Sequence, residues 1–117
     1  MQNKKFGDKG EKIALEFLKG KGYEILETNW HYHHKEIDII ALKNRELIIV
    51  EVKTRSTDFF GAPYEFVDIK KQQFLIEAAN GYLVEKNIDL PVRFDVISII
   101  LNNEKQEIHH VEDAFSP

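Results

Sequence analysis

Apolar residues recur every three or four positions in two stretches of the chain, and this period predicts two helices. In the first stretch, Asp8 is followed three residues later by Glu11, a capping-box pattern that places the start of the helix there. The apolar stripe that follows consists of Ile13, Ala14, Phe17 and Leu18. Gly20 and Gly22 are expected to end this helix, because glycine is unfavourable in a helix interior.

The second helix is predicted to begin after Asp68, whose side chain can cap it, and to run to about Lys86. Its inner stripe is expected to comprise Ile69, Ile76, Ala79 and Leu83. Gln72 falls on that stripe, where a polar side chain needs a partner. Gln72 therefore has two interpretations: a hydrogen bond at the edge of the core, or a place in a functional site.

Apolar and β-branched runs predict strands over residues 23–32, 36–41, 47–54, 92–101 and, as a short addition, 107–111. The run 47–54 is apolar on both faces over its first half, which is typical of a central strand covered on both sides. Asn44 and Arg45 supply the turn before it, and a loop is expected over residues 55–65.

The order α-β-β-β-α-β predicts one α/β domain over residues 1–117, with a mixed sheet of four to five strands flanked by helices. Three consecutive strands joined by short turns are expected to pair antiparallel. The second helix then crosses over and places the next strand parallel to a neighbour.

Composition narrows the class of protein. The 117 residues are 43% hydrophobic and 31% charged, as in globular chains, and no apolar run approaches the roughly 20 residues of a membrane-spanning helix. Cysteine is absent, which excludes disulfides and zinc–thiolate sites. No apolar stretch follows the basic N-terminus, so we expect no signal peptide, no membrane partner and a cytoplasmic location.

The net charge of −4 is unevenly distributed. Residues 1–55 carry 11 basic and 9 acidic side chains, whereas residues 56–117 carry 5 basic and 11 acidic ones. This balance gives no support for strong non-specific binding to nucleic acid. A nucleic-acid partner would have to bind a local basic edge, or metal ions held by carboxylates.

Side chains that could carry chemistry emerge where the most apolar strand ends. Residues two apart share a face of a strand, so Glu51 and Lys53 are expected side by side. On the preceding strand, Glu36, Asp38 and Ile40 are expected to share a face. Antiparallel pairing of the two strands would bring Asp38 close to Glu51.

Two carboxylates and a lysine in one patch suit the hydrolysis of a phosphodiester. Asp38 and Glu51 can hold Mg²⁺ or Mn²⁺ through oxygen ligands, and such an ion polarises a phosphoryl oxygen. Lys53 can orient the attacking water or stabilise negative charge in the transition state. The alternative interpretation is an ion pair at a strand end, which contributes little stability when exposed.

Asp38 followed by Glu51-Val52-Lys53 resembles the PD-(D/E)xK signature of the restriction-endonuclease-like nucleases. A wider set of residues, spread over nearly the whole chain, is similar to the YraN family of small bacterial proteins. The set comprises Gly10-Glu11, Ala14, Gly22-Tyr23, Asn29, Glu36-Ile37-Asp38-Ile39-Ile40, Val50-Glu51-Val52-Lys53-Thr54-Arg55, Phe60-Gly61, Lys71, Ala78-Ala79, Arg93-Phe94-Asp95 and Ala114-Phe115. The resemblance implies a restriction-endonuclease-like core similar to that of archaeal Holliday-junction resolvases, and endonuclease activity.

By this resemblance, Asp38 and Glu51 are metal ligands for Mg²⁺ or Mn²⁺, and Lys53 is the catalytic lysine. Glu11 matches an acidic residue that the first helix contributes in resolvase-like members. It is therefore a third candidate ligand, with the capping box as its other interpretation. Lys35 stands where the family commonly has glycine, so a wider turn is expected there, and the proline of the signature is absent.

Four further residues are candidates for supporting roles. Gln72 resembles an active-site glutamine that some nucleases of the superfamily carry on the second helix, and Glu36 is a possible auxiliary carboxylate. Arg55 and Lys71 are candidates for contacts with the nucleic-acid backbone.

Two groups of residues have a structural interpretation instead. Arg93 and Asp95 share one face of a strand and are expected to form an ion pair. Histidines occur in two clusters: His31, His33 and His34, and then His109 and His110. Zinc sites usually need four ligands with fixed support, so exposed strand ends are the preferred interpretation of these clusters.

The sequence thus predicts a metal-dependent endonuclease that hydrolyses DNA phosphodiester bonds, on branched or single-stranded DNA. A homodimer is plausible by resemblance, because cutting two strands of a junction needs two sites. Two alternatives stay open: a non-catalytic nucleic-acid-binding module of the same fold, and a protein-interaction domain whose acidic half binds a basic partner.

Overall fold

The computed structural model describes residues 4–56 and 67–117. In chain order the elements are α1 (Lys4–Gly20), β1 (Glu24–Tyr32), β2 (Lys35–Lys43), β3 (Glu46–Arg55), α2 (Ile69–Lys86), β4 (Val92–Leu101) and β5 (Gln106–Phe115). The last strand extends well beyond the predicted residues 107–111. Most of the predicted loop, residues 57–65, lies outside the described residues.

α1 begins earlier than the capping-box pattern predicts. Lys4 is its first residue, so Asp8 lies inside the helix and the predicted cap at Asp8 is wrong. A capping box marks a helix start only if the residues before it leave the helix, and here residues 4–7 are already helical. Gly10 lies so close to Thr54 of β3 that a Cβ at residue 10 would overlap the Thr54 side chain. α1 is therefore held over the end of β3.

The five strands form one sheet in the order β1-β2-β3-β4-β5. β1, β2 and β3 pair antiparallel, and α2 crosses over to place β4 parallel to β3, as predicted. β5 then returns antiparallel to β4 and forms the second edge of the sheet.

Both turns of the meander contain residues with positive φ. Asn44 (φ 52°) and Arg45 (φ 63°) form the predicted turn before β3, and such paired positive values fit the twist of a hairpin. Between β1 and β2, His33 (φ 59°) has this role. Tyr32 pairs directly with Lys35, so the turn is short, and the wider turn expected at Lys35 is wrong.

β3 is the middle strand, and its apolar side chains alternate between two cores. Leu47 and Ile49 belong to the α2-side core, together with Leu75 of α2. Ile48 and Val50 belong to the α1-side core, which contains Ala14 and Leu18 of α1. The prediction of a central strand covered on both faces is confirmed, and the polar end of β3 emerges between two buried layers.

α2 begins where predicted, because the Asp68 carboxylate accepts a hydrogen bond from the Lys71 main-chain N–H at 2.8 Å. Of the predicted inner stripe, Ala79 is buried, and Ile76 and Leu83 pack against the α2-side core, as expected. Ile69, however, is 65% exposed, so its place on the stripe is wrong. The residues of α2 that are buried are Leu75, Ala78, Ala79 and Tyr82. α2 carries apolar residues on more than one side, so periodicity alone does not decide which side faces the sheet.

Two helices on opposite faces of a five-stranded mixed sheet, in the order α-β-β-β-α-β-β, form the predicted restriction-endonuclease-like fold. In the described part of the chain, neither helix has the length and apolar character that crossing a membrane requires.

Candidate active site

Asp38 lies where β2 separates from β3. The pairing of these strands ends at Ile39 and Val50. Just beyond it, Asp38 Oδ2 accepts a hydrogen bond from the main-chain N–H of Val52 at 2.8 Å. A carboxylate thus satisfies an amide of β3 that lies past the end of the β2 ladder. This bond holds Asp38 next to Glu51.

Side-chain alternation breaks in β2 close to Asp38. Ile37 and Ile40 both belong to the α2-side core, although strict alternation would place them on opposite faces. Asn29, which the β1–β2 register places opposite Asp38, has a φ of 48°. The alternation that places Glu36, Asp38 and Ile40 on one face therefore does not hold through this segment.

Glu51 is buried and lies between two lysines. Its side chain retains 5% exposure, and its Oε2 is 3.6 Å from the Nζ of Lys53 and 3.6 Å from the Nζ of Lys71. Its Oε1 is also buried and accepts no hydrogen bond from the described residues. A buried polar atom without a partner typically destabilises a protein by about 1–3 kcal/mol, so this oxygen calls for an explanation such as a ligand.

Burial and the charges nearby change the pKa of Asp38. Burial, and after it the negative charge of Glu51, raise the pKa of Asp38 to about 8. The Val52 N–H and the Lys71 ammonium act in the opposite direction, because both stabilise the carboxylate. Burial next to Glu51 thus makes the Asp38 carboxyl group a weaker acid than an exposed aspartate.

Glu11 approaches the same region from α1. Its Oε1 accepts a hydrogen bond from Asn29 Nδ2 at 3.0 Å, which replaces the predicted capping box. Burial raises the pKa of Glu11, and the hydrogen bond from Asn29 lowers it. Three acidic neighbours raise it further through their charge: Asp8, Glu36 and Glu51. Glu11 belongs to the acidic surroundings of Glu51, and its role as a metal ligand stays a prediction.

Glu36 lines two cavities next to this cluster. One, of about 470 Å³, is acidic and is lined by Gly7, Asp8, Glu11, Asn29 and Glu36. The other, of about 570 Å³, is lined by His31, His34, Lys35, Glu36, Asp38 and Lys71. We call the second one the Asp38–Lys71 cavity. It combines the Asp38 carboxyl with cationic side chains, a combination suited to a phosphate group.

The chain matches a known protein family and is similar in sequence to several proteins of that family. Residues 10–99 match the family described as "Uncharacterised protein family UPF0102". A UPF0102 protein of Parabacteroides distasonis is 51% identical over 109 residues, which cover 93% of this chain and 90% of the relative. A second, from Flavobacterium psychrophilum, is 50% identical over 93% of this chain and 92% of the relative. A third, from Christiangramia forsetii, is 48% identical over 97% and 96%.

The chain therefore belongs to the UPF0102 family. This confirms the resemblance to the YraN family, since the two names denote the same group. The span that matches the UPF0102 family contains Glu11, Asp38, Glu51, Lys53 and Lys71. The names of these UPF0102 relatives state membership alone, so the chemistry of this UPF0102 protein has to be argued from its geometry.

Three residues of this UPF0102 protein that were predicted to have supporting roles make different contacts. Gln72 Nε2 donates to the main-chain oxygen of Val67 at 2.9 Å, a hydrogen bond at the edge of the core. Glu36 Oε2 is 3.1 Å from His31 Nε2. Arg55 is the last residue of β3 and is half-buried. The supporting roles of these residues stay predictions.

The donor set fits a hard divalent cation. Mg²⁺ is commonly held by one or two carboxylates, and water and substrate phosphate complete its coordination. Asp38 and Glu51 supply two carboxylates, and Glu51 Oε1 is a buried oxygen without a hydrogen-bond partner among the described residues. In residues 4–56 and 67–117, no group of three or more His, Asp or Glu side chains is placed to hold a metal ion. An ion at this site would therefore be bound by the carboxylates of Asp38 and Glu51, and water or substrate phosphate would complete its coordination.

A second cluster of polar side chains surrounds Asp95, near the start of β4. Arg93 donates to both carboxylate oxygens of Asp95 at 2.8 Å, so the predicted ion pair is confirmed. His110 Nε2 lies 2.7 Å from Asp95 Oδ2, and its side chain is only 5% exposed, unlike the exposed strand end expected. Arg93 also donates to the Tyr23 hydroxyl at 2.8 Å. This cluster joins β1, β4 and β5.

Sequence reasoning missed two contacts of the site. The pairing of Lys71 with Glu51 depends on how α2 packs, and the position of Lys71 three residues after a helix cap is the only local signal for it. The bond between Asn29 and Glu11 was equally unexpected. An asparagine inside a strand pattern is a usable signal there, because asparagine adopts positive φ more readily than most residues.

Proposed function

We propose that this protein is a divalent-metal-dependent nuclease that hydrolyses phosphodiester bonds of DNA. The observation that carries the proposal is the buried Glu51 carboxylate, which lies beside Asp38 and between two lysines and leaves one oxygen without a hydrogen-bond partner among the described residues. A buried charge is usually fully paired and hydrogen-bonded, so a partly satisfied one fits a binding role better than a structural one.

In this proposal Asp38 and Glu51 hold Mg²⁺ or Mn²⁺. The ion, when bound, polarises a phosphoryl oxygen and lowers the pKa of water. The Val52 N–H fixes the orientation of Asp38 through the bond to Oδ2. Lys53, two residues after Glu51, positions the attacking water and stabilises negative charge in the transition state.

The nucleic-acid partner is supported by local charge, not by total charge. The chain is acidic overall, at −4, yet Lys35, Lys71 and two histidines line the Asp38–Lys71 cavity. The two lysines of this cavity, which Asp38 and Glu36 also line, suit an anionic substrate that brings its own phosphate to the metal. The choice of DNA, of a branched or single-stranded form, and of a homodimer follows the family resemblance.

A cleavage assay tests the proposal. Wild-type protein is incubated with single-stranded, duplex, flap and four-way-junction DNA, in Mg²⁺, in Mn²⁺ and in EDTA. We expect cleavage of at least one substrate with a divalent ion, and its loss in Asp38→Asn and Glu51→Gln. Glu16→Gln removes an exposed carboxylate of α1 and serves as the control with the same change of charge.

Two results would replace this proposal by a specific alternative. Binding of DNA by the wild type without cleavage in either metal would identify a non-catalytic nucleic-acid-binding module. Neither binding nor cleavage would favour a protein-interaction domain, for which the acidic residues 56–117 supply the charge. Equal cleavage by wild type and Glu51→Gln would place the chemistry at another site.

A further inference from the structure

One oxygen of Glu51 lies at the same distance from two lysines on different elements. Lys53 reaches it from β3, two residues along the same strand, and Lys71 reaches it from the first turn of α2. Both Nζ–Oε2 distances are 3.6 Å, and the two lysine side chains are similarly exposed, at 33% and 30%. The strand motif singles out Lys53, but the contact with Glu51 does not distinguish the two.

The two lysines differ in what they face. Lys71 lines the cavity that also contains Asp38, whereas the described residues that line this cavity do not include Lys53. Lys71 is thus directed at the space between the two carboxylates and the open cavity.

Lys71 is held in this place by its helix. Its main-chain N–H donates to the capping Asp68 carboxylate at 2.8 Å, which fixes the first turn of α2. Its Nζ lies 5.7 Å from the ring centroid of Phe74, one turn further along. The cap fixes the main chain of Lys71, and Phe74 lies within cation–π distance of its ammonium. A positive charge already in place needs less reorganisation when negative charge develops near it.

We propose that Lys71 is a second catalytic lysine of this site, whose ammonium contacts the phosphate that is cleaved beside Asp38 and Glu51. Lys53 remains the partner of Glu51 and positions water. This role rests on the proposed nuclease function. It differs from the role of a general backbone contact, because such a contact would strengthen DNA binding without affecting the chemical step.

The step needs no co-reactant besides water. A water oxygen forms a bond to phosphorus, and the bond from phosphorus to one deoxyribose oxygen breaks. One proton of the water ends on the leaving oxygen and the other on the new phosphate monoester. Lys71 keeps its proton throughout and stabilises the negative charge on the non-bridging oxygens of the transition state.

Three variants test the proposal. Lys71→Ala removes the ammonium, Lys71→Arg restores a positive charge, and Lys70→Ala removes the neighbouring, exposed lysine of α2 as the matched control. For each, kcat and KM are measured on the substrate that the wild type cleaves. We expect Lys71→Ala to lower kcat by about 100-fold with little change in KM, as for the loss of one preorganised electrostatic group. Lys71→Arg should recover part of kcat, and Lys70→Ala should match the wild type.

A second readout does not depend on cleavage. Mn²⁺ is titrated into the same proteins without DNA, and the Kd is measured by calorimetry. Removing a cation that lies against Glu51 lowers the repulsion on the ion, so Lys71→Ala should bind Mn²⁺ severalfold more tightly than wild type and Lys70→Ala.

The outcomes separate this inference from the function on which it rests. If wild type cleaves DNA and Lys71→Ala changes only KM, or behaves like Lys70→Ala, the catalytic role of Lys71 is overturned and the nuclease stands. If wild type cleaves no substrate, the nuclease and the catalytic role both fall. In that case an unchanged Kd for Mn²⁺ in Lys71→Ala would also overturn the placement of Lys71 at the metal site.

Discussion

Gly10 of α1 lies directly against Thr54 of β3. A Cβ at residue 10 would overlap Thr54 Oγ1 and come within 2.9 Å of its Cβ and Cγ2, so only glycine fits without movement. This contact sets the distance of α1 from the polar end of β3. It also places Glu11, the next residue, where its Oε1 meets Asn29. A residue without a side chain thus brings a carboxylate of the first helix to the candidate site.

The first prediction concerns this contact. Gly10→Ala should lower the free energy of unfolding by about 1–3 kcal/mol, because a methyl group forced into a packed interface displaces its neighbours. Gly7→Ala is the matched control in the same helix, since nothing lies within 4 Å of a Cβ there. It should raise stability by about 0.5–1 kcal/mol through helix propensity. Urea unfolding measures both, and equal effects would show that α1 is not closely packed at Gly10.

The second prediction concerns the pH dependence of stability. The folded pKa of Asp38, about 8, lies above the ordinary value of 3.8 for an aspartate, so its contribution to stability is complete at low pH. That contribution is lost as the pH rises through the folded pKa, by up to about 1.4 kcal/mol per pH unit. Asp38→Asn keeps an oxygen that can accept from Val52 and removes the titration. Without divalent ions, we expect the variant to gain stability relative to wild type as the pH rises from about 4 to about 8.

The exposed Asp89 supplies the control for this experiment, because Asp89→Asn removes the same charge before the start of β4, at the end of the sheet away from Asp38. Its stability should follow that of wild type across the same pH range. A parallel course of wild type and Asp38→Asn would show that the carboxyl group of Asp38 is not buried next to a negative charge.

The third prediction concerns metal binding. Mg²⁺ or Mn²⁺ should raise the Tm of the wild type, because only the folded chain brings Asp38 and Glu51 together. At a free concentration about 100 times its Kd, an ion bound to one site stabilises the fold by about 2.7 kcal/mol. Glu51→Gln should abolish the increase in Tm measured by calorimetry. An increase of equal size in that variant would move the ion to another set of ligands, with the histidines tested next.

The fourth prediction concerns Lys53. Lys53→Ala should reduce the rate of cleavage by about 100-fold or more, because a group that acts in the transition state affects the chemical step. The Kd for DNA should change little, since one phosphate contact is a small part of the electrostatic attraction. Filter binding and single-turnover cleavage separate the two quantities. Proportional losses of binding and cleavage would make Lys53 an anchor for phosphate.

The fifth prediction concerns the polar cluster of β4. Asp95 is fully buried, and burial would raise its pKa, but hydrogen bonds from His110, Arg93 and the Asp113 N–H lower it. Arg93→Ala leaves this carboxylate without its bidentate partner and should destabilise the fold by about 3–5 kcal/mol. Lys19→Ala breaks an exposed ion pair with Glu16 and should change stability by less than about 1 kcal/mol. Similar losses in both variants would mean that Asp95 finds another partner.

Local patterns in the sequence were sufficient for the elements and for part of the site. The apolar run of β3 identified a central strand, because a strand that is apolar on both faces has to be covered on both. Asp68 identified the start of α2, since a cap acts on amides two or three residues away. Extending the β2–β3 register by one residue beyond Ile39 and Val50 brings Asp38 near Glu51, but alternation did not predict the face on which Asp38 lies.

Tertiary packing decided how the helices lie on the sheet and which side chains meet at the candidate site. The distance of α1 from β3 depends on their contact at Gly10, and the buried side of α2 depends on how the helix packs on the sheet. Lys71 reaches Glu51 because of the side on which α2 packs against the sheet. Asp38 accepts a hydrogen bond from Val52 because the pairing of β2 with β3 ends one residue earlier. The spacing of apolar residues along the chain specifies which residues share a face of a helix or strand. The partner of that face is set by contacts between residues far apart in sequence, and those contacts place the second lysine at the site.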